Sequence, residues 1–161
     1  MNIMIEIRKI LLAEDNPKDT ELTLEALDEY KLANRVVAVK DGVEALDYLR
    51  CTGAYADRKA GNPAVIILDI KMPRMDGIET LREIRQDPSL KMIPVVMLTS
   101  SREEKDLYES YELGVNAYVV KPVNFPSFVD AVKQIGGFWA VVNELPPDNG
   151  QQYGVKDRSD K

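Results

Sequence analysis

Five short apolar runs, each followed by a stretch with helical spacing, constrain this chain more than any other feature of its sequence. The runs are Arg8–Ala13, Val36–Val39, Ala64–Leu68, Pro94–Leu98 and Ala117–Val120. They are short, continuously apolar past their first residues and rich in β-branched side chains, which reads as strands buried on both faces. Strand and helix alternating along the chain predict an α/β fold, a doubly wound five-stranded parallel sheet with right-handed crossovers and five helices on its two faces. The run from Ala64 to Leu68 is the most apolar. It leads straight into Asp69, where the chain leaves the sheet.

The intervening stretches carry start and stop signals. Asn16-Pro17-Lys18-Asp19 places a capping Asn, a Pro at the first helical position and an acid in the first turn. Leu22, Ala26, Leu27 and Tyr30 give that helix an apolar stripe. Asp41-Gly42 opens a helix with Val43, Leu46 and Leu49. Asp76-Gly77 opens another, with Ile78, Leu81 and Ile84 inward. Ser100 or Ser101 is positioned to cap a helix carrying Leu107, Tyr108 and Tyr111, which closes at Gly114. The last helix starts near Pro126, and Gly136-Gly137 is expected to interrupt it. Thr52–Pro63 reads as a loop. Residues 1–7 read as an N-terminal extension, 8–135 as the domain and 136–161 as a C-terminal extension, whose Pro-, Gly-, Asp- and Lys-rich end from Pro146 is expected to be disordered.

Composition excludes several chemistries. A net charge of −6 argues against broad binding to nucleic acid or anionic membrane. No stretch approaches the ~20 apolar residues of a membrane span, and the N-terminus lacks the marks of a secretory signal. The single cysteine, Cys51, excludes an internal disulfide and suits a cytoplasmic location. The absence of histidine removes a Ser-His-Asp triad and any His-ligated metal. Chemistry is left to carboxylates, Lys, hydroxyls and a metal.

The strand ends supply those groups. Glu14 and Asp15 follow the first run, Asp69 the third, Thr99 the fourth and Lys121 the fifth. In a parallel sheet all carboxyl ends share one edge, so these residues can converge where ligands bind in open α/β folds. Three carboxylates brought together repel one another and call for a cation. Hard oxygen ligands suit Mg²⁺ or Mn²⁺. With a Lys and a hydroxyl beside it, the site suits phosphoryl transfer to a carboxylate, for which Asp69 is best placed.

The segments Leu11-Leu12-Ala13-Glu14-Asp15-Asn16, Ile67 to Gly77, Val96-Met97-Leu98-Thr99-Ser100 and Lys121-Pro122 stand in the order and spacing of a known family. The chain resembles the response-regulator receiver domains of two-component signalling, from about Ile10 to Ile135. The resemblance implies a sheet of order 2-1-3-4-5. It implies that Asp69 accepts phosphate from a histidine of a sensor kinase. Glu14, Asp15, Asp69 and the backbone carbonyl of Lys71 would hold the metal, while Thr99 and Lys121 would contact the phosphoryl oxygens. Thr99 and Tyr118 would form a conformational switch, and Lys121-Pro122 would be a cis peptide. Glu14 is a mild departure, a longer acid where Asp is commonest. The extended loop Tyr55–Lys59, the segment Gln86–Pro94 and the ending Gly137–Pro146 are similar to phytochrome-associated regulators. These are receivers without an output domain, paired with red-light-sensing kinases.

Plainer readings exist for each residue: Glu14 and Asp15 as a helix-start pair, Lys121 as a solvated Lys, Thr99 as a cap, Tyr118 as packing on the sheet. Their joint order favours a signalling switch that catalyses only its own phosphorylation and dephosphorylation. The alternatives are an Mg²⁺-dependent phosphohydrolase, which would want an acid where Lys71 stands, and an unphosphorylated interaction module. Too few residues follow Ile135 for a DNA-reading domain, so output is expected through protein contacts, including a downstream phosphotransfer protein. Phe138, Trp139, Val141, Val142 and Leu145 are too apolar for a solvated tail. They either fold back on the last helix or form the interface of a homodimer, with Phe138, Trp139 and Val142 as its anchors.

Overall fold

A computed structural model of the chain describes residues 8–59 and 61–146. In chain order the elements are β1 (Ile10–Ala13), α1 (Pro17–Asp28), β2 (Val36–Val39), α2 (Gly42–Arg50), β3 (Val65–Leu68), α3 (Gly77–Gln86), β4 (Val95–Thr99), α4 (Glu104–Glu112), β5 (Ala117–Val120) and α5 (Phe125–Gly136). The strands form one parallel sheet in the order β2-β1-β3-β4-β5. This is the doubly wound fold the alternation predicts, with the strand order the resemblance implies.

Side chains alternate across the sheet and build two apolar layers. Leu11, Ile66, Leu68, Val95 and Met97 join α2 and α3 on one face. Ile10, Leu12, Val65, Ile67, Val96 and Leu98 join α1 and α5 on the other. Every residue of β1, β3 and β4 is buried, which is why those runs carry no polar alternation. Truncating one of the fully buried Leu or Ile side chains to Ala would cost about 2–5 kcal/mol.

The helix starts follow the expected chemistry. Asn16 Oδ1 accepts from the amides of Lys18 and Asp19, Asp41 caps α2 through Glu44 N, and Asp76 caps α3 through Glu79 N. The start of α4 differs. It begins at Glu104, after Glu103, which makes no side-chain cap. Ser101 sits too early to cap it; its hydroxyl donates to Asp106 and accepts from Glu103 N. Leu107, Tyr108 and Tyr111 lie on the exposed face of α4 rather than in the core. Tyr30, expected on the inner stripe of the first helix, is half-exposed just beyond its end.

Gly136-Gly137 does not stop the last helix. It continues as a π-type turn over Gly137–Val142. A Cβ on Gly136 would collide with the side chain of Leu27, so glycine here is the condition for α5 to lie close against α1. Trp139 and Ala140 pack onto the α1–α5 layer, whereas Phe138, Val141 and Val142 face solvent. The expected loop, which contains one short turn of 3₁₀ helix at Gly53–Tyr55, is pinned by Arg58. Its guanidinium lies 4.0 Å from the Tyr48 ring centroid and its Nε donates to the Tyr48 carbonyl at 2.8 Å. The expected disorder beyond Pro146 and the extension over residues 1–7 lie outside the described residues. Among those residues no helix is long and apolar enough to cross a membrane.

Candidate functional site

Sheet register brings the site together. β1 and β3 pair Ala13 with Leu68, and Asp69 N donates to the Ala13 carbonyl at 3.0 Å. The next residues, Glu14 and Asp69, therefore leave the sheet side by side. β4 and β5 pair Thr99 with Val120, and Lys121 N donates to the Thr99 carbonyl at 2.7 Å. A slip of one residue would turn every one of these side chains to the wrong face. The backbone of Asp69 is also held from behind. Gly77 N donates to the Ile70 carbonyl at 2.7 Å, and a Cβ on Gly77 would run into the Asp69 carbonyl.

One carboxylate oxygen from each of Glu14, Asp15 and Asp69 can be chosen so that all lie within 4.8 Å of one another. Glu14 and Asp69 are buried, and Asp15 is exposed at the rim. Lys121 Nζ reaches across from β5 and donates to Glu14 Oε2 at 2.7 Å, Asp69 Oδ2 at 2.8 Å and Asp19 Oδ2 at 2.9 Å. The other oxygens are also engaged: Glu14 Oε1 accepts from Asn16 N at 3.1 Å and Asp69 Oδ1 from Ile70 N at 2.7 Å.

Burial, reinforced by the neighbouring Asp69 carboxylate, pushes Glu14 from 4.5 up to about 7, against the opposing pull of Lys121 and the Asn16 amide. Burial by itself would lower Lys121. Its hydrogen bonds to Asp69, Glu14 and Asp19 outweigh that and hold the ammonium above the ordinary lysine range. Four carboxylates, those of Glu14, Asp15, Asp19 and Asp69, thus stand around one ammonium at a largely buried site. An all-oxygen donor set, compact and electrostatically strained, fits a divalent cation of the Mg²⁺ type.

The remaining expected residues fall around this core. Thr99 is buried at the end of β4, its hydroxyl accepting from Ser101 N at 3.3 Å. Tyr118 is half-buried against the α2–α3 layer, and its hydroxyl donates to the Ser101 carbonyl at 3.0 Å. Lys71 is exposed at the start of the β3–α3 loop. The Lys121–Pro122 peptide is trans, not cis as the resemblance implies. The trans form is intrinsically favoured by about 0.5–1 kcal/mol before proline, and with it the Lys121 ammonium already meets all three carboxylates. Asp19 is the residue that sequence reasoning missed. As a first-turn acid it looked complete as a partner of the helix dipole. Its position in the first turn of the helix that follows β1 was the available signal.

The family model of the response regulator receiver domain matches residues 10–133. The chain belongs to the response-regulator receiver family. Response regulator Rcp1 of Synechocystis sp. is 39% identical over 137 residues, covering 85% of this chain and 92% of that protein. The Mn²⁺-bound crystal structure of Rcp1 superposes with a TM-score of 0.80 at 38% identity, over 87% of this chain and 99% of that one. The phosphorylated cyanobacterial phytochrome response regulator RcpA gives a TM-score of 0.82 at 44% identity, covering 88% and 100%. The bacteriophytochrome response regulator AtBRR is 59% identical with a TM-score of 0.69, covering 86% and 99%. This receiver is therefore related to phytochrome response regulators, and a further relative, Rcp1, has a Mn²⁺-bound form.

Proposed function

We propose that this receiver is a phosphorylation switch in which Asp69 accepts a phosphoryl group from a phosphohistidine of a sensor kinase, of the red-light-sensing phytochrome class. The observation that carries the proposal is the convergence of Glu14, Asp15, Asp69 and Lys121 at one sheet edge in a chain of this family. An oxygen of the Asp69 carboxylate attacks phosphorus, the P–N bond to the imidazole breaks, and an acyl phosphate forms. The Asp69 backbone is fixed from both sides, which holds the nucleophile in one orientation. Lys121 gives up its contact with Asp69 and turns to the phosphoryl oxygens, joined by the Thr99 hydroxyl. Glu14, Asp15, Asp69 and the Lys71 carbonyl would hold Mg²⁺ or Mn²⁺, which would neutralise charge on the transferred group.

Output is a binding event. Tyr118, hydrogen-bonded to the loop that follows Thr99, is placed to report movement of Thr99 to the outer surface. A second copy is the first partner, with Phe138 and Val142 at the interface: both are exposed and apolar, while their neighbour Trp139 anchors the turn to its own chain. A downstream phosphotransfer protein is the second partner. Incubation with acetyl phosphate and Mg²⁺, followed by intact mass, tests the switch. A gain of one phosphoryl group that decays slowly supports it. Rapid release of inorganic phosphate would make the chain a hydrolase, and no gain at all an inert module.

A further inference from the structure

The ammonium of Lys121 stands on three carboxylates, and only two of them belong to the candidate cation cluster. We infer that the third, Asp19, is a positioning residue: it holds Lys121 at the site so that Glu14 and Asp69 are released to a divalent cation. The inference rests on the reading of Glu14, Asp15 and Asp69 as that cation's ligands.

An ammonium has three N–H donors, and here each has its own acceptor. Glu14 Oε2 and Asp69 Oδ2 are both occupied by Lys121, so the lysine and a divalent cation compete for the same two side chains. If Glu14 and Asp69 turn to a cation, Lys121 loses two partners at once in a position where its side chain is only 10% exposed. An unpaired buried ammonium is costly. Asp19 removes that difficulty. It lies outside the cluster of three, on α1 rather than on a strand end, and its side chain is 26% exposed, so it meets the ammonium from the solvent side of the site.

The local sequence fixes it there. Asn16 Oδ1 accepts from Asp19 N at 3.3 Å, Pro17 sets the first helical residue, and Thr23 Oγ1 donates to the Asp19 carbonyl at 2.7 Å. The first turn of α1 is therefore rigid, and Asp19 points its carboxylate over the edge of the sheet to Lys121. A first-turn acid serving only the helix dipole would have no reason to meet a buried lysine from β5.

Asp19→Asn weakens this foot: an amide oxygen can still accept from Lys121 but carries no charge. Lys121 then leans more on Glu14 and Asp69 and competes harder for them, and the cluster also loses one negative charge. Both effects weaken cation binding.

The test is Mn²⁺ affinity by electron paramagnetic resonance and Mg²⁺ affinity by calorimetry. Both are measured on wild type, Asp19→Asn, Asp19→Glu, Lys121→Met and the double variant Asp19→Asn with Lys121→Met. Circular dichroism establishes that each variant is folded. The expected result is a weakening of more than tenfold in Asp19→Asn, recovery of most of it in Asp19→Glu, and a smaller weakening when the same change is made in the Lys121→Met background. Unchanged affinity in Asp19→Asn overturns the inference. So does an equal loss in both backgrounds, which would make Asp19 a charge acting on the cation directly. Should wild type bind neither ion, the reading of the acidic cluster itself falls, whatever Asp19 does.

Discussion

Removing the charge of Lys121 without changing its bulk, by Lys121→Met, should destabilise the metal-free protein and leave the cation-loaded protein much less affected. The loss divides among three contacts. Asp19 is part-exposed, so its share is under about 1 kcal/mol. Glu14 already sits at about 7 with the lysine present, so at neutral pH it answers the loss by taking a proton, which limits its share. The largest share falls on Asp69. Its side chain is 8% exposed and would keep only the Ile70 amide. Leaving a buried charge without its partner costs about 3–5 kcal/mol. The retained amide puts the expected loss near the lower end, about 3 kcal/mol, or roughly 6–12 °C in Tm for a chain of this size.

The same change has a pH signature. A carboxyl whose folded value is raised binds a proton in the folded state that the unfolded chain has already released, so stability rises as pH falls. In metal-free wild type this gain runs from about pH 7 down to the ordinary 4.5 of a Glu. In Lys121→Met it should begin above pH 7, at up to about 1.4 kcal/mol per pH unit. Thermal melts in EDTA at pH 6, 7 and 8 would show it. A melt series at a fixed, saturating MgCl₂ concentration should then narrow the gap to wild type, because without the competing lysine the variant binds the cation more tightly. No loss in EDTA, or an equal loss in EDTA and in saturating Mg²⁺, would refute the account of Lys121 as the cluster's stand-in cation.

Three further changes have definite outcomes. Asp69→Asn should gain no phosphoryl group from acetyl phosphate, because an amide oxygen is no comparable nucleophile; stoichiometric labelling by intact mass would remove Asp69 from the role. Arg85→Lys should cost about 1–3 kcal/mol in chemical denaturation, since all five guanidinium N–H donors reach neutral oxygens of Lys91, Ile93, Gly114 and Asn116, and an ammonium cannot span them. Phe138→Ser with Val142→Ser should shift the chain toward monomer while leaving labelling of Asp69 intact, and equal masses by light scattering at equal concentration would take this face out of the interface.

How far the fold was legible follows from which interactions decide each part. The buried strands were legible because two-sided burial leaves an unbroken apolar run, as in Val65–Leu68. Glu14, Asp15, Asp69, Thr99 and Lys121 were legible as strand ends because a parallel sheet sends all of them to one edge. The path through Gly136 was not, since two glycines signal a break unless one knows that Leu27 leaves no room for a Cβ. The start of α4 was not, because Ser101 is held by Asp106 and Tyr118, contacts that no local rule contains. Asp19 was hidden for a related reason: its local role was already satisfied, and only its partner 102 residues away reveals another.

The site is assembled against its own electrostatics, and that sets how the rest of the molecule must be built. Glu14 and Asp69 emerge together only because β1 and β3 are locked in register by side chains buried on both faces. Each would be better solvated if the pairing slipped or frayed. The tie from Gly77 N to the Ile70 carbonyl closes the loop behind Asp69, and only glycine fits against the Asp69 carbonyl there. Even the lysine that offsets the charge stands just past β5, separated from β1 in the sheet by β3 and β4, so the compensation depends on β1, β3, β4 and β5 being paired together.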